Sequence, residues 1–349
     1  MKAISLNIIL FLMLLPGTAI AGKDEKITKE RRISKTYIVN SNAGLDVSNK
    51  YGQIYVTTWD ENKTSIEVTI RVSAKNEEIV DKRLNSIDIE FEAVKTLIKA
   101  KTLIGNFSGR NINMEINYTI KIPKNGTINL NNQYGAIKLG VINGDSNIKC
   151  QYGNLSAEEL NSNNNIIRIE YCGKSKINYM KMGDVKASYS DFMLTKGNIL
   201  KINGEYTNMN ITDINDLNFR TDYGDLKIIN ANKVSGTNEY SSFRIAALSG
   251  QLNLTTNYGD INIARVEKST KNIAINSTYT NVAVKYDDSY PFDFEYKLEY
   301  GNLSGTSGLK FTEKKEKDFS SYYKGFNLNS GENRIYIKAE FGNIVLSRL

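Results

Sequence analysis

The chain has 349 residues, no histidine and a formal net charge of +7, with 45 basic against 38 acidic residues. Without histidine, Ser-His-Asp and Cys-His machinery is excluded and a zinc site would need unusual ligands. The positive excess is scattered, with no basic block to track a nucleic-acid backbone, and three prolines against 21 tyrosines favour extended, ladder-bonded structure.

Residues 1–21 read as a secretory signal peptide. Lys2 supplies the positive start, Ile8 to Leu15 the apolar stretch, Pro16-Gly17 the helix break, and Ala19-Ile20-Ala21 the small residues read at cleavage. The apolar stretch falls short of the roughly 20 residues that span a bilayer. No cysteine follows the cleavage site to carry a lipid, no later stretch is apolar enough to cross a membrane, and the C-terminal segment Ile344 to Leu349 has no recognisable sorting tail. The expected mature protein starts at about Gly22, carries +6, and is soluble in the periplasm or at the cell surface. The heavy use of Asn, Lys and Ile reads as composition bias, so the Asn-x-Ser/Thr triplets carry little weight as glycosylation sites.

Residues 22–124 read as a β-rich capping region. Its strands are expected at Tyr51–Thr57, Ser65–Val72, Ile87–Phe91 and Ile116–Ile122. One helix is expected from Asn76 to Ser86: Asn76 caps it, Glu77 and Glu78 sit at its positive end, and Ile79, Val80 and Leu84 form an apolar stripe.

Residues 125–349 hold a repeat: aromatic, small residue, any residue, apolar. It runs through Tyr134-Gly135-Ala136-Ile137, Tyr152-Gly153-Asn154-Leu155, Tyr189-Ser190-Asp191-Phe192, Tyr206-Thr207-Asn208-Met209 and Tyr223-Gly224-Asp225-Leu226. It continues through Tyr240-Ser241-Ser242-Phe243, Tyr258-Gly259-Asp260-Ile261, Tyr279-Thr280-Asn281-Val282, Tyr300-Gly301-Asn302-Leu303 and Phe341-Gly342-Asn343-Ile344. Tyr171-Cys172-Gly173 is a degenerate copy and Tyr51-Gly52-Gln53-Ile54 an early outlier. Steps from Tyr134 to Tyr258 are 18, 19, 18, 17, 17, 17 and 18 residues. Apolar and polar residues alternate on both sides of each corner, and the phase slips by one at the corner, as a chain does when it turns and keeps burying one side. Further apolar residues such as Leu160, Ile214, Leu248 and Val266 suggest a third short side. Each unit is then one coil of a β-solenoid of about 18-residue coils. Antiparallel hairpins are the alternative this spacing leaves open. Cys150 and Cys172 are offset by three residues along stacked strands, about 10 Å, too far for a disulfide. Two buried thiols are expected.

On these motifs the chain resembles the DUF4097 family of bacterial adhesin-like β-strand-repeat proteins. The matching residues are Asn49-Lys50-Tyr51-Gly52-Gln53-Ile54-Tyr55-Val56-Thr57-Thr58-Trp59, then Tyr118-Thr119-Ile120-Lys121-Ile122-Pro123 leading into Leu130 to Leu139, then the Tyr-Gly copies. The resemblance implies a β-helix-like fold, an envelope or surface location, and no active site to carry over. It also implies a second reading, an envelope-stress component working with a membrane or anti-sigma partner.

The function expected is non-enzymatic binding or structural support, with a surface glycan or an envelope protein as partner and no cofactor. A polysaccharide lyase using arginine as base is the remaining enzymatic reading. However, Arg168, Arg220, Arg244 and Arg265 occupy different places relative to their corners. Asn or Asp recurs two residues after the aromatic (Asn154, Asp191, Asn208, Asp225, Asp260, Asn281, Asn302, Asn343). That row could ligate calcium or sugar hydroxyls, but turn residues bonding their own backbone explain it more simply. The corners Tyr134, Gly135, Tyr152, Gly153, Tyr223, Gly224, Tyr258, Gly259, Tyr300 and Gly301 are expected to hold up the fold, the glycines through a backbone conformation a Cβ would strain. The interval from Tyr300 to Phe341 reads as about two coils with one corner missing. Its irregular segment is either a cap or a ligand-contact surface, with Lys314, Lys315, Phe319, Tyr322, Tyr323 and Phe326 as candidates.

Overall fold

The computed structural model describes residues 26–107, 109 and 111–349; the signal segment lies outside the described residues. These residues form strands throughout, with one helix. They divide after Gly173 into two compact units.

In the first unit, short strands meet at the aromatic corners. Ile128–Gln133 and Ile137–Ile142 flank Tyr134, and Ser146–Gln151 and Leu155–Leu160 flank Tyr152. Successive coils pair in parallel and in register, Ile128 against Ser146 and Ile137 against Leu155, with Ser146 in turn against Asn165. The alternating Ile and Leu residues of both sides are buried, as one-faced strands require. Tyr51 is a full member of this stack, although its distance from Tyr134 sets it apart in the sequence. Its strands Gly44–Lys50 and Ile54–Trp59 pair with the Tyr134 coil, Leu45 against Ile128 and Ile54 against Ile137.

The intervening chain closes the stack. Leu97–Ile104 and Asn113–Pro123 add one more parallel layer outside the Tyr51 coil. Antiparallel strands then take over: Ile87–Val94 on one side, Lys63–Ala74 and Ile27–Ile38 on the other. The helix Glu77–Asn85 joins them, its first turn capped by Asn76, whose side chain accepts from the Ile79 amide at 3.2 Å. Of the expected apolar stripe only Val80 is buried.

In the second unit the coils up to Glu239 are each one bent strand running from corner to corner, and Ser242–Val266 and Asn272–Tyr286 run on through the corners at Tyr258 and Tyr279. Asp191–Glu205, Asn208–Asp222 and Leu226–Glu239 pair in parallel, Asp191 against Asn208 and Met209 against Leu226. The ladder breaks between Leu194 and Lys196 and again between Gly197 and Ile199, so each such coil has three sides. The short third side carries the buried Ile214 and Leu248. Neighbours are parallel, which rules out the antiparallel-hairpin alternative: the fold is a β-solenoid.

Chain order fails near the C-terminus. The coil of Arg334–Glu340 and Ile344–Arg348 is inserted between Asn272–Tyr286 and Phe292–Glu299, with Ile335 against both Ile273 and Phe294. The interval after Tyr300 therefore holds no second coil. It holds a hairpin, Lys310–Lys317 with Ser320–Asn327, laid antiparallel on Phe292–Glu299. Antiparallel strands cannot continue a parallel stack, so the hairpin ends it; its outer strand is rich in lysine and glutamate, which discourages further pairing.

Asparagine, attributable to composition bias on the sequence alone, has a structural outlet. In-register coils bring like residues together, and amide ladders form: Asn147 to Asn129 at 2.9 Å, Asn232 to Asn215 at 2.9 Å, Asn215 to Asn198 at 3.0 Å.

Candidate functional site

The corner aromatics, not the glycines, adopt the left-handed conformation. Tyr51, Tyr134, Tyr152, Tyr171, Tyr189, Tyr206, Tyr223, Tyr240, Tyr258, Tyr279, Tyr300 and Phe341 all have φ between 49° and 60°. The glycine expectation is corrected accordingly. Gly135, Gly153, Gly224 and Gly259 are needed because a Cβ would overlap the carbonyl oxygen of the aligned residue in the adjacent coil (Gly52, Gly135, Thr207 and Ser241 respectively). Where Ser, Thr or Cys takes the glycine position, the backbone there accommodates its Cβ, and the rest of the side chain folds back. The hydroxyls of Ser190, Thr207, Ser241 and Thr280 donate to the carbonyl two residues earlier at 2.7–2.9 Å.

A left-handed tyrosine is unfavourable by about 1–2 kcal/mol. Ring stacking offsets it, at about 0.5–1.5 kcal/mol per pair. In the first unit Tyr51, Tyr134, Tyr152 and Tyr171 stack at 5.0–5.2 Å. In the second, the row runs Tyr189, Tyr206, Tyr223, Tyr240, Tyr258, Tyr279, Phe341, Tyr300 at 4.7–4.9 Å, with Phe319 closing it at 5.3 Å from Tyr300. The second-unit spacings from Tyr189 to Tyr300 equal the strand separation of a β-sheet, and those of the first unit are slightly wider.

The Asn/Asp row bonds to the next coil instead of its own backbone. Asn208 Oδ1 accepts from the Asp225 amide at 3.3 Å, Asp225 Oδ1 from Ser242 at 3.1 Å, and Asn343 Oδ1 from Asn302 at 2.9 Å. Among the described residues no group of three or more His, Cys, Asp or Glu could hold a metal ion. The arginines each engage a local neighbour: Arg168 with Asn147, Arg220 with Asp222, Arg244 with Asp225, Arg265 with Glu267. Cys150 and Cys172 are buried thiols. They lie closer than strand arithmetic suggests, because the corner turns Cys172 Sγ inward to donate to the Cys150 carbonyl at 3.2 Å. The hydrogen bond between the thiols and burial push Cys150 up, and the same bond holds Cys172 down to about 7.

A groove of about 280 Å³ lies at the hairpin end of the second unit, lined by Lys297, Glu299, Lys315, Lys317, Tyr322 and Lys338 among others. Register builds it: Lys338, Lys297, Tyr322 and Lys315 form one row across four strands. The Lys297 and Lys315 ammonium groups each lie 6.0 Å from the Tyr322 ring centre. Each lysine has a carboxylate beside it: Glu295 at 3.0 Å from Lys297, Glu313 at 2.5 Å from Lys315, Glu340 at 2.6 Å from Lys338. These hydrogen-bonded carboxylates raise all three lysines above their ordinary value, so they stay charged. The result is a strip of paired donors and acceptors around one aromatic ring.

The family model described as Toastrack DUF4097 matches residues 26–347. The chain belongs to that family. Solved structures similar to this Toastrack chain include a candidate cell adhesion protein from Clostridium sporogenes (13% identity, 93% of this chain and 100% of that one, TM-score 0.17). They also include a candidate adhesin from Bacteroides fragilis (13%, 91% and 97%, TM-score 0.26) and a candidate lipid binding protein from Parabacteroides distasonis (11%, 91% and 96%, TM-score 0.32). No curated protein matches the sequence.

The six candidate contacts of the Toastrack hairpin separate. Lys315 and Tyr322 line the groove. Tyr323 is buried, with its hydroxyl 2.6 Å from Glu316, and Lys314 lies over its ring at 5.8 Å. Phe326 takes Lys310 at 5.4 Å. Phe319 caps the aromatic row and is 66% exposed. Sequence reading missed Lys297 and Lys338, which belong to coils that no spacing rule joins. Their only local signal is a charged residue at alternate, outward positions of a strand.

Proposed function

We propose that this Toastrack chain is an exported, non-enzymatic binding protein of the bacterial envelope whose groove takes a surface glycan. The observation that carries this reading is the row Lys338, Lys297, Tyr322, Lys315, where charged donors and their partner carboxylates surround one tyrosine ring on paired strands. Sugar rings present an apolar face for the tyrosine and hydroxyls that both donate and accept, and such a strip answers both. Export rests on the charged start, apolar stretch and small-residue cleavage pattern of residues 1–21. No helix among the described residues is long and apolar enough to cross a membrane.

Calorimetric titration with a panel of bacterial surface polysaccharides tests it. One polysaccharide is expected to bind saturably and without chain cleavage. Tyr322→Ala and Lys297→Ala should each weaken it about tenfold, while Lys227→Ala, outside the groove, should not. Release of new reducing ends, or binding indifferent to both groove variants, would overturn the reading.

A further inference from the structure

The aromatic rows of the two units share their geometry but not their electrostatics. In the second unit Tyr189, Tyr206, Tyr223, Tyr240 and Tyr258 follow one another at 4.8–4.9 Å, within 5° of parallel. Their faces are covered by their neighbours, yet each residue is 47–50% exposed. What faces solvent is a straight ridge of ring edges and hydroxyls about 19 Å long.

Two rows of side chains run beside that ridge. The residues preceding the rings are Ser188, Glu205, Asp222, Glu239 and Asn257; those two places after are Asp191, Asn208, Asp225, Ser242 and Asp260. Six are carboxylates and none is basic. Arg220 pairs with Asp222 at 3.1 Å and Arg244 with Asp225 at 3.4 Å. Arg220 also attracts Glu239, and Lys174 stands in register with Asp191; among the described residues no ion pair engages Glu205 or Asp260. In the first unit the corresponding residues are Lys50, Gln133, Gln151 and Glu170 before the rings and Gln53, Ala136 and Asn154 after them, one acid against one base.

The acids are not needed for stacking, since neutral residues serve the same places in the first unit. Asn208 and Ser242 show that the second row accepts neutral residues within this unit too. Carboxylates repeated at the coil spacing repel one another, which disfavours the fold unless a cation answers them.

We infer that the acid-flanked ridge of the second unit binds an elongated, planar, cationic aromatic molecule lying along the stack axis. A row of ring edges offers edge-to-face contact to a flat aromatic surface. A rigid ligand spanning several identical coils loses little conformational freedom on binding. The carboxylates on either side supply the charge complementarity, and the site is distinct from the lysine groove.

Thioflavin T, a flat cationic dye, serves as the probe on the full mature chain, with binding followed by fluorescence and by calorimetry. Saturable binding is expected, weakening at least fivefold between 0.05 and 0.5 M salt, since exposed charges are screened. The triple variant Glu205→Gln, Asp222→Asn, Glu239→Gln leaves every ring in place and should weaken it at least fivefold with an unchanged circular dichroism spectrum. Tyr223→Asn with Tyr240→Asn keeps residues that tolerate the left-handed backbone and should abolish it. Absence of binding, binding indifferent to the acid-neutralised variant, or binding lost only on altering Tyr51 and Tyr134 would overturn the inference.

Discussion

The two units end their parallel stacks in different ways. In the first, both sides of the outermost parallel layer continue into antiparallel strands: Leu97–Ile104 is covered by Ile87–Val94, and Asn113–Pro123 by Lys63–Ala74 and Ile27–Ile38. In the second, only Phe292–Glu299 is covered, by the hairpin. The other side runs out, with Leu303–Ser304 pairing for two residues before Gly305 and Gly308 turn the chain at φ 75° and 79°. An open strand edge invites pairing with another chain, and it can be removed by covering or by shortening. One shared device lies beneath the difference. The coil holding the first corner, at Tyr51, and the coil holding the last, at Phe341, both lie one layer inside their ends. A coil inserted from a distant part of the chain pins the end layer to the stack.

Removing residues 334–349 should have the largest effect. The deletion takes a layer from between two others and forfeits the buried Ile335, Ile337, Ala339, Ile344 and Leu346. At about 1.5–3 kcal/mol for a large apolar side chain, that loss is on the order of 10 kcal/mol, comparable to the stability of a domain. The second unit should lose its cooperative melting transition in calorimetry. Removing residues 26–38 takes only an outer strand whose partner Lys63–Ala74 keeps its other neighbour, so the first unit should still melt cooperatively at a lower temperature. The reverse order would break the comparison between the ends.

Gly135→Ala and Gly224→Ala test whether the corners of the two units are built alike. Each Cβ would press on a backbone carbonyl, and a loss of about 1–3 kcal/mol is expected in each, read as a lower unfolding midpoint. A variant melting like the parent would show that the corner relaxes freely.

Alkaline pH should separate the units more gently. Burial raises the pKa of Tyr37 and Tyr118 in the first unit, the latter against a smaller opposing effect of Thr102, and burial raises Tyr290, Tyr296 and Tyr323 in the second. The Tyr296 hydroxyl, fully buried, has no hydrogen-bond partner among the described residues. A phenol whose folded pKa lies above its unfolded value of 10.0 favours folding fully below pH 10, and that contribution is lost as pH rises beyond it. Midpoints measured from pH 8 to 11 should therefore fall above pH 10, more steeply in the second unit. A flat profile would contradict the burial of these hydroxyls.

The smallest effect belongs to Asp225→Asn and Asp260→Asn. An asparagine oxygen can accept the Ser242 amide as Asp225 does, and the Arg244 pair at 3.4 Å is exposed. Stability should change by less than about 0.5 kcal/mol, with and without calcium. A calcium-dependent stabilisation lost in either variant would make the row a metal site.

The coils were legible because their causes are local. Alternation at Ile128 and Leu130 before Tyr134, and at Ile137 and Leu139 after it, reports a one-faced strand on each side of a turn, and recurrence reports stacking. The helix was legible from Asn76, Glu77 and Glu78 for the same reason. Which corner residue bears the left-handed backbone was not, because glycine suits a positive φ and a crowded contact equally well, and only the approach of the adjacent coil separates the two.

By itself the sequence determined the strand period and the corners from Tyr134 to Tyr300, since each follows from steric and burial demands within a few residues; the parallel pairing that makes the fold a solenoid came from the structure. Only the tertiary structure decided which coil lies beside which. That choice depends on where an unpaired edge and an unburied apolar face wait for a partner. The Phe341 coil therefore moved inside the Tyr300 coil, and Lys297, Lys338 and Tyr322, distant in the chain, came into one row.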